Sequence, residues 1–249
     1  MKKTTLILLI FFQLFGQDGI QITEMINSRP FPKDLTSHAK MILTNAKGKV
    51  LSRKMISMSL NGGEKQIIWF IEPKSERGIS FLKIENESKT NEMRMWLPAF
   101  KKTRRISPKN RGDKFMGSEL SYEDLSNRDP NENVYILLDS VRFNGTDCYL
   151  VETKPTESNN SSYSKHLSWI NKKNLTLMKE YSYDKKGELK KEKDFMYQKI
   201  KNFNVIKRVF VKDRQTQNTT EILFSNTKVN SGLNESFFIE KNLKKIPKY

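Results

Sequence analysis

Thiol and imidazole are scarce in this chain. Cys148 is the only cysteine among 249 residues, so no internal disulfide can staple the fold. In Asn144-Gly145-Thr146-Asp147-Cys148-Tyr149-Leu150-Val151-Glu152 it alternates with apolar neighbours and reads as a buried structural thiol in a strand. A reactive cysteine would want a base beside it, and only His38 and His166 are available. Neither histidine stands in an HExxH or comparable context, which argues against the simplest zinc hydrolases. Aspartate and glutamate number 28, yet none pair at a spacing that recurs in acid–base catalysis. No enzymatic activity is expected, and no cofactor or metal. The chain also lacks a low-complexity linker and a fixed-period repeat, which argues for one domain.

Long apolar runs are missing too. The longest, Leu6–Phe15, is broken by Gln13, follows Lys2 and Lys3, and is too short to span a bilayer. A positive start and a short apolar core form the pattern of an export signal. Cleavage after Gly16 would make residues 1–16 the signal and residues 17–249 one mature domain in the periplasm; an uncleaved anchor is the alternative reading of the same residues. No cysteine follows the run, so a lipid anchor on the chain itself is not expected.

What the chain has in abundance is positive charge. Forty-five lysines and arginines oppose 28 acids, a formal charge of +17. That balance favours anionic partners. For an exported protein these are lipid headgroups, envelope polymers or acidic proteins. Export and the lack of a nucleic-acid module both oppose nucleic acid. The cations are spread along the chain, so a merely solvated basic surface is the plain alternative.

Period-two alternation dominates after a short helix at Ile20–Ile26. Ser37–Asn45 and Val50–Leu60 flank a turn at Ala46–Lys49. Lys65–Glu72 is apolar on both faces, as in a strand covered on both sides. Strands resume at Val134–Phe143 and continue to Val229, and Asn234 caps a last helix over Glu235–Ile246. Met116–Asn127 reads as a helix or a structured loop. The expected fold is mainly β (α+β), about eleven antiparallel strands with a few short helices. A single sheet of that size must close, split or curl.

The stretch Met93–Asp124 breaks the meander. Pro98 ends a strand, a basic cluster follows (Lys101, Lys102, Arg104, Arg105), and then come Phe115-Met116-Gly117-Ser118 and Ser121-Tyr122-Glu123-Asp124. With Asp34-Leu35-Thr36, Pro73, and Arg77-Gly78-Ile79-Ser80-Phe81-Leu82, these blocks resemble the LolA-like outer-membrane lipoprotein-sorting proteins, in the branch associated with RND/MMPL-type lipid exporters. Ile79 stands where threonine is usual in that family, and Glu119 where aspartate is common.

The resemblance implies an incomplete β-barrel of the LolA/LolB type, lidded by helices. It implies a periplasmic carrier that holds the acyl chains of a lipid or lipoprotein in an apolar trough and moves them between the inner and outer membranes. Strand parity selects Met41, Leu43, Ile56, Met58, Trp69, Phe81, Met95 and Leu97 as the lining, rich in adaptable methionine. Ordinary core packing is the alternative for each of them. Lys101, Lys102, Arg104 and Arg105 are the candidates for contact with a headgroup or partner, against a charged edge strand as the alternative. Ser121–Asp124 would hold the middle loop to those arginines. The implied partners are an inner-membrane exporter or an outer-membrane acceptor, with transient contact at a membrane surface and the chain itself a monomer. A cargo-free protein that docks an exporter or an anionic polymer through the basic cluster is the competing reading.

Overall fold

The computed structural model describes residues 11–86 and 91–248. Most of the expected export signal, residues 1–10, lies outside them. Helix α1 (Phe11–Ser28) starts earlier than the expected Ile20. The strands are β1 (Asp34–Thr44), β2 (Val50–Leu60), β3 (Lys65–Glu72), β4 (Ser80–Ile84), β5 (Glu92–Leu97), β6 (Lys102–Arg105), β7 (Asn133–Phe143), β8 (Thr146–Pro155), β9 (Lys165–Asn171), β10 (Leu177–Tyr183), β11 (Leu189–Ile200), β12 (Phe203–Asp213) and β13 (Thr219–Val229). They form one antiparallel sheet in the order β6-β5-β4-β3-β2-β1-β13-β12-β11-β10-β9-β8-β7. Two meanders thus meet where β1 pairs β13, with Met41 opposite Ile222 and Ala39 opposite Phe224.

The sheet curls without closing, so the expected mainly β, incomplete-barrel fold is present with thirteen strands instead of about eleven. One strand absent from the expectation is β6, four residues of the basic cluster that carry no apolar alternation. Its edge and that of β7 are the free ends of the sheet, and the chain between them, residues 106–132, folds over the sheet's inner face. No helix forms there. Met116 and Gly117 have φ of +51° and +73°, which no α-helix accepts, and only short 3-10 turns remain, at Pro108–Asn110, Phe115–Gly117, Glu123–Leu125 and Pro130–Glu132.

Each face of β2–β5 has its own cover. On the inner face, Met55, Phe70, Phe81, Met93 and Met95 pack under Ile106, Phe115, Leu120 and Tyr122 of the middle segment. On the outer face, Ile56, Met58, Ile67, Trp69 and Leu82 pack under Phe238 and Leu243 of the C-terminal segment. That segment is a 3-10 turn, Glu235–Phe237, followed by α2 (Glu240–Leu243), in place of one continuous helix. Asn234 caps the turn as expected, through Ser236 N–H. The chain then goes extended at Ile239, which lets Phe238 and Leu243 both reach the sheet. Asp34 pins the start of this segment by accepting from the backbone N–H groups of Ser231, Gly232 and Leu233.

α1 lies on β7. Gly19 makes the approach possible, because a Cβ there would stand 2.3 Å from the Tyr135 carbonyl oxygen. Ile22 then buries against Val151 and Ile170.

Candidate functional site

Between α1, the middle segment and the inner face of β8–β13 runs a groove of about 1110 Å³, slightly above the size range of pockets that enclose small molecules. Its composition follows from register. Inward positions of β8 to β13 face one another across the sheet: Val151 meets Ser168, Ser168 meets Glu180, Glu180 meets Lys193, and Val209 meets both Phe195 and Ile222. An apolar tract therefore runs through Ile170, Leu177, Tyr197, Phe195, Val209, Ile222 and Phe224, with Ile26 of α1 above it.

Beside that tract stands a band of buried charge. Asp124 receives Lys191 at 2.7 Å and is also bonded to Lys193. Lys193 continues to Glu180 at 3.0 Å, and Arg128 closes on the same glutamate with two bonds of 2.7 and 2.9 Å. Tyr163 donates to Asp124 at 2.9 Å, and its oxygen accepts from Lys191 at 2.6 Å. Burial pushes the Asp124 carboxyl up, but Lys193 and Lys191 outweigh it and hold the group well below the usual carboxylate range. Glu180 is treated likewise: burial raises it, and Arg128 and Lys193 bring it well down. For His166, burial first and Arg128 second drive the imidazole well below its ordinary value, so it is neutral. Burial, then the Asp124 charge, pushes the Tyr163 phenol well up. Every carboxylate here has a cationic partner, which is what makes so much buried charge tolerable.

The motifs that carried the family resemblance mostly build this frame. Ser121 and Asp124 close a tight turn through Ser121 N–H and Oγ, each 2.8 Å from Asp124 Oδ2. Glu123 accepts from Ser162 N–H at 2.8 Å and ties down the β8–β9 loop. The segment Ser121–Asp124 thus holds the middle of the chain as expected, but through Lys191 and Lys193 and not the arginines of the basic cluster. Lysines were invisible as partners because they sit about 70 residues away in sequence. Arg53 bonds Glu76 and donates to the Met116 carbonyl at 2.8 Å, fixing the Phe115–Gly117 turn on β2.

The expected lining is divided between two faces. Met41, Leu43, Phe81, Met95 and Leu97 belong to the inner core. Ile56, Met58 and Trp69 belong to the outer one, under the C-terminal segment. Met41 faces Arg53 across the hairpin, whereas Ile56 and Met58 stand opposite His38 and Thr36. One sheet face cannot hold all eight, since parity separates them. None of the eight reaches the groove, because the middle segment fills the inner face of β1–β5. The groove residues that sequence reasoning passed over lie in the second meander. Their signal was an inward polar row, Ser168, Glu180, Lys193, unusual for a sheet interior. The basic cluster lies at the edge: Lys101, Lys102, Arg104 and Arg105 are all exposed, in β6 and the turn before it. Among the described residues no group of three or more His, Cys, Asp or Glu side chains is placed to hold a metal ion.

Comparison with known proteins agrees with this architecture. A family model described only as "Uncharacterized protein" matches residues 62–245. A crystal structure from Vibrio parahaemolyticus, designated an outer membrane lipoprotein-sorting protein domain, is 30% identical with a TM-score of 0.87, covering 92% of this chain and 100% of that one. A DUF1329 family protein from Desulfovibrio piger is 28% identical with a TM-score of 0.85, over 92% and 99% of the two chains. A LolA superfamily protein from Nitrosomonas europaea, 18% identical with a TM-score of 0.71 over 90% and 98%, shares the fold. No curated protein matches.

Proposed function

As this chain belongs to the LolA-like outer-membrane lipoprotein-sorting family, we propose that it is a periplasmic carrier. In this reading the export signal is removed, and the mature chain holds the acyl chains of a lipid or lipoprotein in the groove and passes them between the inner and outer membranes, from an RND/MMPL-type exporter or to an acceptor. One observation carries the reading: the apolar tract from Ile170 to Phe224 lies open beside an ionic wall in a groove of about 1110 Å³. Each buried methylene contributes about 0.8 kcal/mol, so a single acyl chain along the tract gains several kcal/mol before any polar contact. The adjoining Arg128–Glu180–Lys193 wall suits the head of an amphiphile better than a bare hydrocarbon.

Native mass spectrometry with lipid extraction tests this on protein purified from the periplasm. A bound species in the lipid mass range is expected. Leu177→Trp, which fills the tract from a half-buried position, should lower lipid occupancy about tenfold, equivalent to about 1.4 kcal/mol, with the melting curve checking the fold. A clean apo mass, unchanged after incubation with envelope lipids, overturns the carrier and favours a cargo-free docking protein.

A further inference from the structure

In an antiparallel meander, alternate turns fall on the same rim. The turns β1–β2, β3–β4 and β5–β6 therefore share one end of the barrel. Contact between them is direct, since a Cβ on Gly78 of the β3–β4 turn would lie 3.5 Å from Pro98 Cγ of the β5–β6 turn. These three turns carry six exposed cations: Lys47, Lys49, Lys74, Arg77, Lys101 and Lys102. The two acids of the same turns are already engaged, Glu72 with Lys54 and Glu76 with Arg53. Among the described residues, none of the six cations is in a salt bridge. Set into this ring are Phe100, 70% exposed, Val50, 59%, and Leu51, 42%. Phe100 is the most exposed large apolar side chain of the described residues. Pro98 and the left-handed Lys101, at φ +50°, make the tight turn that presents it.

We propose that this rim docks the protein on the surface of an anionic bilayer, with Phe100 entering the interface and the lysines paired to lipid headgroups. Charge and apolarity choose the partner together. An acidic protein or polymer would satisfy the cations and leave three apolar side chains wet. A neutral bilayer would take the apolar side chains and leave the cations unpaired. An anionic lipid surface offers both at the right depth, because lysine stems lie along the interface while their ammonium groups stay among the headgroups. Arg104 and Arg105, exposed on β6 just below the turn, extend the same field. Docking on this rim is separate from holding cargo in the groove, so each can fail alone.

Hydrogen exchange of the full chain tests the docking, with vesicles of phosphatidylcholine alone or with about 30% phosphatidylglycerol added, which gives the surface a negative potential. Protection is expected at residues 46–51 and 98–102 with the anionic vesicles only, and none at the opposite rim around Lys172 and Lys173. Phe100→Asp and the pair Lys101→Glu with Lys102→Glu should each weaken vesicle binding at least about tenfold, while Lys172→Glu with Lys173→Glu should not. Protection confined to the N-terminal helix overturns the proposal, as do equal binding by the rim variants and no binding to anionic vesicles. Absence of bound lipid from the groove before vesicles are added would count against the carrier reading and leave the docking result standing.

Discussion

His166 lies beneath the middle segment, its Nδ1 2.9 Å from the Ser182 hydroxyl and 3.6 Å from Glu180 Oε1. Burial and the nearby Arg128 keep the ring neutral, even with two carboxylates in the same network. The unfolded chain has no such environment, and its histidine titrates near pH 6.5. Below that pH the unfolded state takes up a proton that the folded state refuses, so stability falls as the solution is acidified. The loss can reach about 1.36 kcal/mol for each pH unit over which the folded state refuses the proton. Asp124 and Glu180 act in a different window. Their folded values are depressed, so their contribution is present above the ordinary carboxylate range and is lost only below about pH 4. We expect urea melts of the wild type to weaken between pH 7 and 5, and His166→Asn to flatten that part of the curve. A variant with the wild-type slope would show that His166 does not set it.

At the scale of elements, α1 and the middle segment decide where the groove is. The contact between Gly19 and β7 offers a direct test, since two effects of opposite sign compete there. Glycine inside a helix is worse than alanine by about 0.5–1 kcal/mol, so Gly19→Ala would stabilise a helix that stood free. Packing opposes it, because the new methyl would fall 2.3 Å from Tyr135 O and 2.8 Å from Ile136 N, both backbone atoms that cannot swing away. Overpacking typically costs about 1–3 kcal/mol, so packing wins. Amides of residues 20–28 should exchange faster in the variant while β1 and β13 keep their protection; slower exchange along α1 would mean that the contact is loose. The sequence made the sheet legible because period-two alternation and turn residues mark strands locally. It also placed Asn234 as a cap and Cys148 in a strand. It could not say which face of β2 and β3 was inward, because both faces are covered and both are apolar: Ile56 and Trp69 look no different from Met55 and Phe70. Nor could it find the groove. The ionic wall joins Asp124 to Lys191 and Lys193, and Arg128 to Glu180, and nothing in local spacing announces pairs that far apart.

For the molecule as a whole, charge of one sign is the dominant long-range term. A formal +17 means that an exposed lysine meets, on average, more repulsion than attraction from the rest of the surface. Some exposed cations do have partners, as Lys54 has Glu72, but exposed pairs contribute only about 0–1 kcal/mol each. The strong pairs, Asp124 with Lys191 and Lys193 and Glu180 with Lys193, are buried and are screened far less than surface charges. Salt should therefore relieve the repulsion more than it weakens the attraction. With a Debye length near 10 Å at about 0.1 M and shorter above it, sodium chloride at a few tenths molar should raise the urea midpoint, by a gain on the order of 1 kcal/mol or less. Urea is the denaturant for this measurement, since guanidinium chloride is itself a salt. The rim of Lys47, Lys49, Lys74, Arg77, Lys101 and Lys102 supplies part of the repulsion. Reversing Lys101 and Lys102 to glutamate should then both raise stability at low salt and shrink the response to salt. A midpoint that falls as salt is added would mean that attractive surface pairs outweigh the net charge. The same measurement then bears on the rim, since cations already satisfied within the fold would have little left to offer a membrane.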